Sequence, residues 1–177
     1  MPSSRVLISS QTLGSSTASV TFSSIPATYT DLVLKVSGKT DAAGTYGANS
    51  TLIEFNNDSS AIYSTTDLFA TWDGSSNAAY SSRWTGESYV RSRYTAELAN
   101  PTSVFGSYEI YIPSYTVSQN KPVSAFGVTE RNATGIDGIN TTAGLYRSTT
   151  AISQIKLSPQ ANWVSGSSFY LYGLRSS

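Results

Sequence analysis

Apolar and polar positions alternate along this chain in short bursts, with the period of two that a half-buried strand requires. Val6-Leu7-Ile8 predicts a first short strand, and Gln11 to Ala18 a turn region around Gly14. Val20 and Phe22 alternate with Ser19 and Thr21, and a corner follows at Ile25–Tyr29, where Pro26 has no N–H to give a ladder. The stretch Asp31–Ser37 places Leu32, Leu34 and Val36 inward and Val33 and Lys35 outward. Thr51–Phe55 is a strand that stops at Asn56-Asn57-Asp58-Ser59, residues that tolerate left-handed backbone and bond to it. Asp67–Trp72 ends at the hairpin signal Asp73-Gly74, and Arg83–Arg93 predicts one long strand or two short ones. Tyr108–Ile112 is closed by Pro113, Val123–Thr129 follows Pro122, and Ile152–Leu157 precedes Pro159. The glycine-bearing stretches Gly38–Asn49 and Asn132–Gly144 read as long loops.

The last strand, Phe169–Leu174, differs from the others. Phe169, Leu171 and Gly173 point to one face and Tyr170, Tyr172 and Leu174 to the other, so neither face is a plain solvent face. Phe169 and Leu171 are expected in the core. Tyr170 and Tyr172 are expected to pack under a loop or against a neighbouring subunit. About ten short strands at this spacing, with no helical period of normal length, predict an all-β fold. Long cross-connections favour a jelly-roll-like antiparallel β-sandwich, taken as a single domain over residues 1–177.

Composition removes several function classes. Eleven basic and eleven acidic residues cancel, so neither nucleic acid nor an anionic membrane finds a charged footprint. With no histidine and no cysteine, Ser-His-Asp, Cys-His and ordinary zinc chemistry are excluded, and no disulfide supports the fold. A paired-carboxylate glycosidase would have to draw two of Asp31, Glu54, Asp67, Asp73, Glu87, Glu97, Glu109 and Glu130 together through the fold. Asn56-Asn57-Asp58 has oxygens that Ca²⁺ would accept, although a strand-ending turn explains the same residues. We therefore expect no catalytic residues, no cofactor and no metal. The N-terminal apolar run is too short for a signal peptide, so synthesis and folding in a cytoplasm are expected. Ser and Thr make up roughly three residues in ten, and a neutral surface of that kind is weakly protected against association.

One stretch concentrates the side chains that dominate contact hot spots: Tyr80, Trp84, Tyr89 and Tyr94, interleaved with Arg83, Arg91 and Arg93. Together with Trp72, the residues Tyr80, Trp84, Tyr89, Arg91, Arg93 and Tyr94 are candidate contacts for protein or glycan. The competing reading puts Trp84 and Tyr89 in the core and leaves the arginines on the surface.

The segments Leu7–Gly14, Ala18–Pro26 and Tyr29–Leu34, the Phe55-Asn56-Asn57-Asp58 turn with Tyr63, Glu109–Pro113 and the ending Phe169–Leu174 resemble a group of small tailed-bacteriophage structural proteins. The resemblance runs over nearly the whole chain and implies a virion component. It implies either a capsid decoration (cement) protein, here expected as a trimer on the major capsid protein, or a tail or fibre domain that recognises host surface carbohydrate.

Overall fold

The computed structural model describes residues 4–42, 50–72, 76–93, 104–130 and 137–175. Among them are twelve strands: β1 (Ser4–Thr12), β2 (Val20–Phe22), β3 (Asp31–Gly38), β4 (Thr51–Phe55), β5 (Tyr63–Trp72), β6 (Asn77–Glu87), β7 (Val90–Ser92), β8 (Gly106–Ile112), β9 (Lys121–Thr129), β10 (Asp137–Tyr146), β11 (Ile155–Pro159) and β12 (Ser168–Arg175). All pairings are antiparallel, in an eight-stranded sheet of order β1-β12-β3-β8-β9-β10-β5-β6 and a four-stranded sheet of order β2-β11-β4-β7. With β5, β6, β9 and β10 set aside, what remains is β1-β12-β3-β8 packed on β2-β11-β4-β7. Apart from β4 and β7, which are consecutive and paired within the small sheet, successive strands alternate between the two sheets, which is the double Greek key of a jelly roll. The expected β-sandwich is therefore present, with two additional hairpins. β5–β6 follows β4, β9–β10 follows β8, and the two interlock through the β10–β5 pair to widen one sheet.

The core fills the jelly roll. Leu32 and Leu34 on β3, Ile110 and Ile112 on β8 and Phe169 and Leu171 on β12 face Ile53 and Phe55 on β4 and Ile155 and Leu157 on β11, all buried. Trp163 closes one end: its ring meets Phe169 edge-on at 5.0 Å, its Nε1 donates to Leu157 O (3.2 Å), and its backbone bridges Thr17 and Thr40. β12 lies between β1 and β3 and is a central strand. Gly173 is required there, because a Cβ would stand 2.2 Å from the Tyr29 ring.

Two sequence expectations need correction, and the alternatives left for a third stretch are resolved. Asn132–Gly144 is not one long loop, since residues from Asp137 onward form β10, a central strand of the wide sheet. Its glycines mark close packing instead of turns: a Cβ on Gly144 would come within 2.5 Å of Val90, and one on Gly138 within 2.8 Å of Ala70 O. The strand expected over Ile152–Leu157 begins at Ile155 and takes in Pro159, with Ile152 buried just ahead of it. Arg83–Arg93 resolves into β6 and β7, which belong to different sheets. The Asn56–Asn57 turn is as expected, with both residues at φ 55°.

Candidate interaction surface

Strand register fixes which side chains share the outer face of the wide sheet. One row runs Ala79, Ala70, Ile139, Val128, Ser107, Ser37 across β6, β5, β10, β9, β8 and β3. The next runs Ser81, Leu68, Thr141, Phe126, Glu109, Lys35, Tyr170 and reaches β12. On the hairpin side of these rows stand Leu68 (56% exposed), Phe126 (49%), Ile139 (45%) and Trp72 (41%). Leu68, Ala70, Phe126 and Ile139 surround an apolar depression of about 210 Å³, and a groove of about 690 Å³ continues from it past Trp72 and Val128. Glu109 bounds this patch, held by Lys35 (3.2 Å) and Arg5 (3.7 Å). Beyond the ion pair, Tyr170 and Tyr172 line a second groove with Phe126 and Val128. Tyr170 is exposed and Tyr172 half-buried, and both lie on this open face; among the described residues no loop covers them.

The inner face of the same hairpins is mixed: Tyr63, Phe69, Val123, Ala125 and Tyr146 are buried there, beside a cluster of polar side chains. Thr65, Asp67 and Thr71 on β5 and Asn140 and Thr142 on β10 are all buried, with Ser92 of β7 above them. Asn140 Oδ1 accepts from Thr142 Oγ1 (3.0 Å) and Ser92 Oγ (3.3 Å), and Thr65 Oγ1 accepts from Arg91 N (3.1 Å). Arg93 Nε stands 2.8 Å from Asp67 Oδ2, an ionic contact without hydrogen-bond alignment, and Nη2 donates to Ser82 Oγ (3.4 Å). Burial pushes the Asp67 carboxyl above the usual range, and the Arg93 charge pulls only part of it back.

The candidate contact residues therefore divide. Trp72 stands on the outer face, while Tyr80 and Trp84 project from β6 onto the inner side, by register beside Phe69 and Thr65. Tyr80 stacks on Phe69 at 5.1 Å and remains 46% exposed. Arg91 lies over Trp84 (5.4 Å) and Tyr89 (5.2 Å) and 3.6 Å from Glu87. Arg93 lies over Phe69 (4.6 Å) and Trp84 (4.8 Å). Trp84 and Tyr89 are half-buried, and they are neither core residues nor a free platform: they form the aromatic walls around two arginines. Tyr94 lies outside the described residues.

Other candidate chemistry is absorbed by the fold. Asp58 Oδ1 accepts from Ser60 N (3.1 Å) and Oδ2 from Tyr146 OH (3.1 Å), while Asn56 Oδ1 accepts from Ser153 N (2.8 Å). Bonds from Ser60 hold the Asp58 carboxyl below its usual range. These oxygens knit a turn to the loop before β11. The Ser-x-x-Lys spacing of a nucleophile–base pair occurs at Ser118–Lys121 and Ser153–Lys156, neither of them on a helix. Lys121 is fully buried, with Nζ donating to Val117 O (2.7 Å) and to the carbonyls of Gln119, Ser148 and Thr149. Lys156 Nζ donates to Glu54 (3.4 Å).

Leu68, Phe126, Val128 and Ile139 were missed by sequence reasoning. The signal was available for β9, where Phe126 and Val128 alternate with Val123 and Ala125, so both faces are apolar as in β12. No family model, curated protein or solved structure matches this chain.

Proposed function

We propose that this protein is a non-enzymatic structural component of a bacteriophage particle, a capsid decoration protein. In this role it lies on the outside of the major capsid protein lattice and stabilises it. The observation that carries the proposal is the exposed apolar outer face of the hairpin extension. Its interior face buries Tyr63, Phe69 and Tyr146 together with Asp67, Thr71, Asn140 and Thr142, and its outward face still leaves Leu68, Trp72, Phe126 and Ile139 exposed. A contiguous exposed apolar patch rimmed by polar residues marks an interaction site. An outward face of this kind suits a protein that works while covered. Decoration of a repeated lattice multiplies modest contacts, because a second attachment by the same assembly acts at an effective concentration of about mM. The resemblance in the strand and turn segments supports the phage setting, and the neutral surface suits a protein–protein contact. A carbohydrate platform at Tyr80–Tyr94 draws less support, since Arg91 and Arg93 are turned to Glu87, Asp67 and neighbouring rings.

Electron microscopy of particles carrying this protein is the test. Density over the capsid shell is expected, and density on the tail alone would rule the reading out. Phe126→Asp together with Ile139→Asp should leave the fold intact and remove the protein from particles.

A further inference from the structure

The two sheets have four edges, and three are protected. β2 and β7 are three residues long. β1 carries Arg5 and an irregularity between Leu7 and Ser9. Short strands, charges and bulges are the devices that stop edges from pairing. β6 is different: eleven residues, Asn77–Glu87, regular from Asn77 to Thr85, without Pro or Lys and with Arg83 as its one cation. Among the described residues nothing pairs with its free side.

We propose that β6 pairs antiparallel with β6 of a second copy about a two-fold axis at Ser82, joining two wide sheets into one. The occupant and the register follow from the sequence of the strand. A two-fold perpendicular to the sheet keeps inner residues opposite inner ones, so the axis passes through a residue. Centred on Ser82, Tyr80 falls opposite Trp84 of the other copy twice over, Arg83 opposite Ser81, and Thr85 opposite Ala79. Aromatic cross-strand pairs stabilise a sheet. Centring on Ser81 sets Trp84 against Ala78 and loses both aromatic pairs. Centring on Arg83 sets the two guanidinium groups directly opposite, which opposes pairing. In the Ser82 register both apolar outer faces lie on the same side and form one broad surface. The inference rests on the edge strand and holds whether or not the protein decorates a capsid. It gives a two-fold pair in place of the trimer expected from the sequence.

Ser81 is exposed on the outer face, beside Leu68 in its own chain and opposite Arg83 of the second copy. Sedimentation equilibrium of the full chain should show a dimer, weakened at least about tenfold by Ser81→Lys and kept or tightened by Ser81→Glu, since like charges directly opposed destabilise a strand pair and opposite charges support it. The double variant Ser81→Lys/Arg83→Glu should recover the wild-type affinity. Because the chain has no cysteine, Ser82→Cys should form a disulfide-linked dimer on oxidation, and Thr85→Cys, well off the axis, should not. A monomer at about 100 μM, a concentration well above the micromolar Kd of a modest interface, would overturn the proposal. So would a trimer, an open polymer, a dimer indifferent to Ser81→Lys, or equal cross-linking at 82 and 85.

Discussion

The jelly roll and the hairpin extension share one sheet but differ in how much polar chemistry they bury. Between β1-β12-β3-β8 and the small sheet the filling is dry: Leu, Ile, Val, Phe and Trp side chains, with Trp163 Nε1 bonded to a carbonyl. Between β10-β5 and β7, hydroxyls, an amide and an ion pair lie beside Val90 and Phe69. Apolar burial drives folding at about 25 cal/mol per Å², while a neutral hydrogen bond nets about 1 kcal/mol. The jelly roll therefore supplies most of the driving force, and the extension is held by strand register, the bonds to Asn140 and the Asp67–Arg93 ion pair. Leu68, Trp72, Phe126 and Ile139 of the extension face outward, which is a poor use of them in an isolated subunit and a good one in an assembly.

The largest expected effect breaks the dry half. Removing the last nine residues, from Phe169 onward, deletes a strand paired on both sides and should leave insoluble protein. The milder Phe169→Ala leaves a cavity beside Trp163 and should cost about 3–5 kcal/mol in urea unfolding. A soluble, folded truncation would show that the extension organises the chain, reversing the comparison.

Next comes Arg93→Met, which leaves the buried Asp67 without its cation. Breaking a buried pair from one side costs about 3–5 kcal/mol. The sign with pH follows from the carboxyl. Asp67 already has a folded pKa above its unfolded one, and losing Arg93 raises it further. A protonated Asp67 is tolerated, so the variant's deficit should be small below the unfolded pKa of 3.8 and grow as pH rises through the folded value. Adding Asp67→Leu should recover most of the loss. Urea midpoints of the three proteins between pH 3 and 7 decide it, and a deficit that shrinks toward neutral pH would refute the account.

These halves were unequally legible in the sequence. The dry strands announced themselves, because Leu32-Leu34-Val36 and Phe169-Leu171 alternate cleanly and proline or asparagine ends each run. β10 did not, because Gly138, Gly144 and the hydroxyls of Thr141 and Thr142 mimic a loop when the packing of Val90 against Gly144 is unseen. The interlocking of two hairpins separated by more than thirty residues is likewise a tertiary fact with no local signal. For the candidate site, the run of aromatics and arginines was legible as a stretch of sequence, yet alternation alone could not tell that Trp72 and Trp84 would stand on opposite faces.

A smaller effect probes the wet interior. Asn140 receives two hydroxyls and its Nδ2 donates to Leu68 O (3.5 Å). Asn140→Ala strands Ser92 and Thr142 and should cost about 1–3 kcal/mol. Because the β10–β5 seam carries that loss, backbone amides of β5, β6 and β10 should exchange faster while those of β3 and β12 keep their protection. Uniform acceleration would mean that the two halves open as one unit.

The smallest expected effect on stability is the most telling for the outer face. Phe126 stands about half-exposed on β9, opposite Thr141 and Glu109, and no core residue depends on it. Phe126→Ser should move stability by less than about 0.5 kcal/mol, the usual range for surface substitutions. If the outer apolar face serves only the isolated subunit, that is the whole consequence. If it is kept for a covering partner, the same substitution should raise solubility and weaken assembly onto the partner lattice severalfold. Thermal unfolding and particle co-sedimentation, measured on the same preparation, separate the two. A clear loss of stability without any loss of assembly would place Phe126 in the fold's own energetics and remove the reason for reading the outer face as a docking surface.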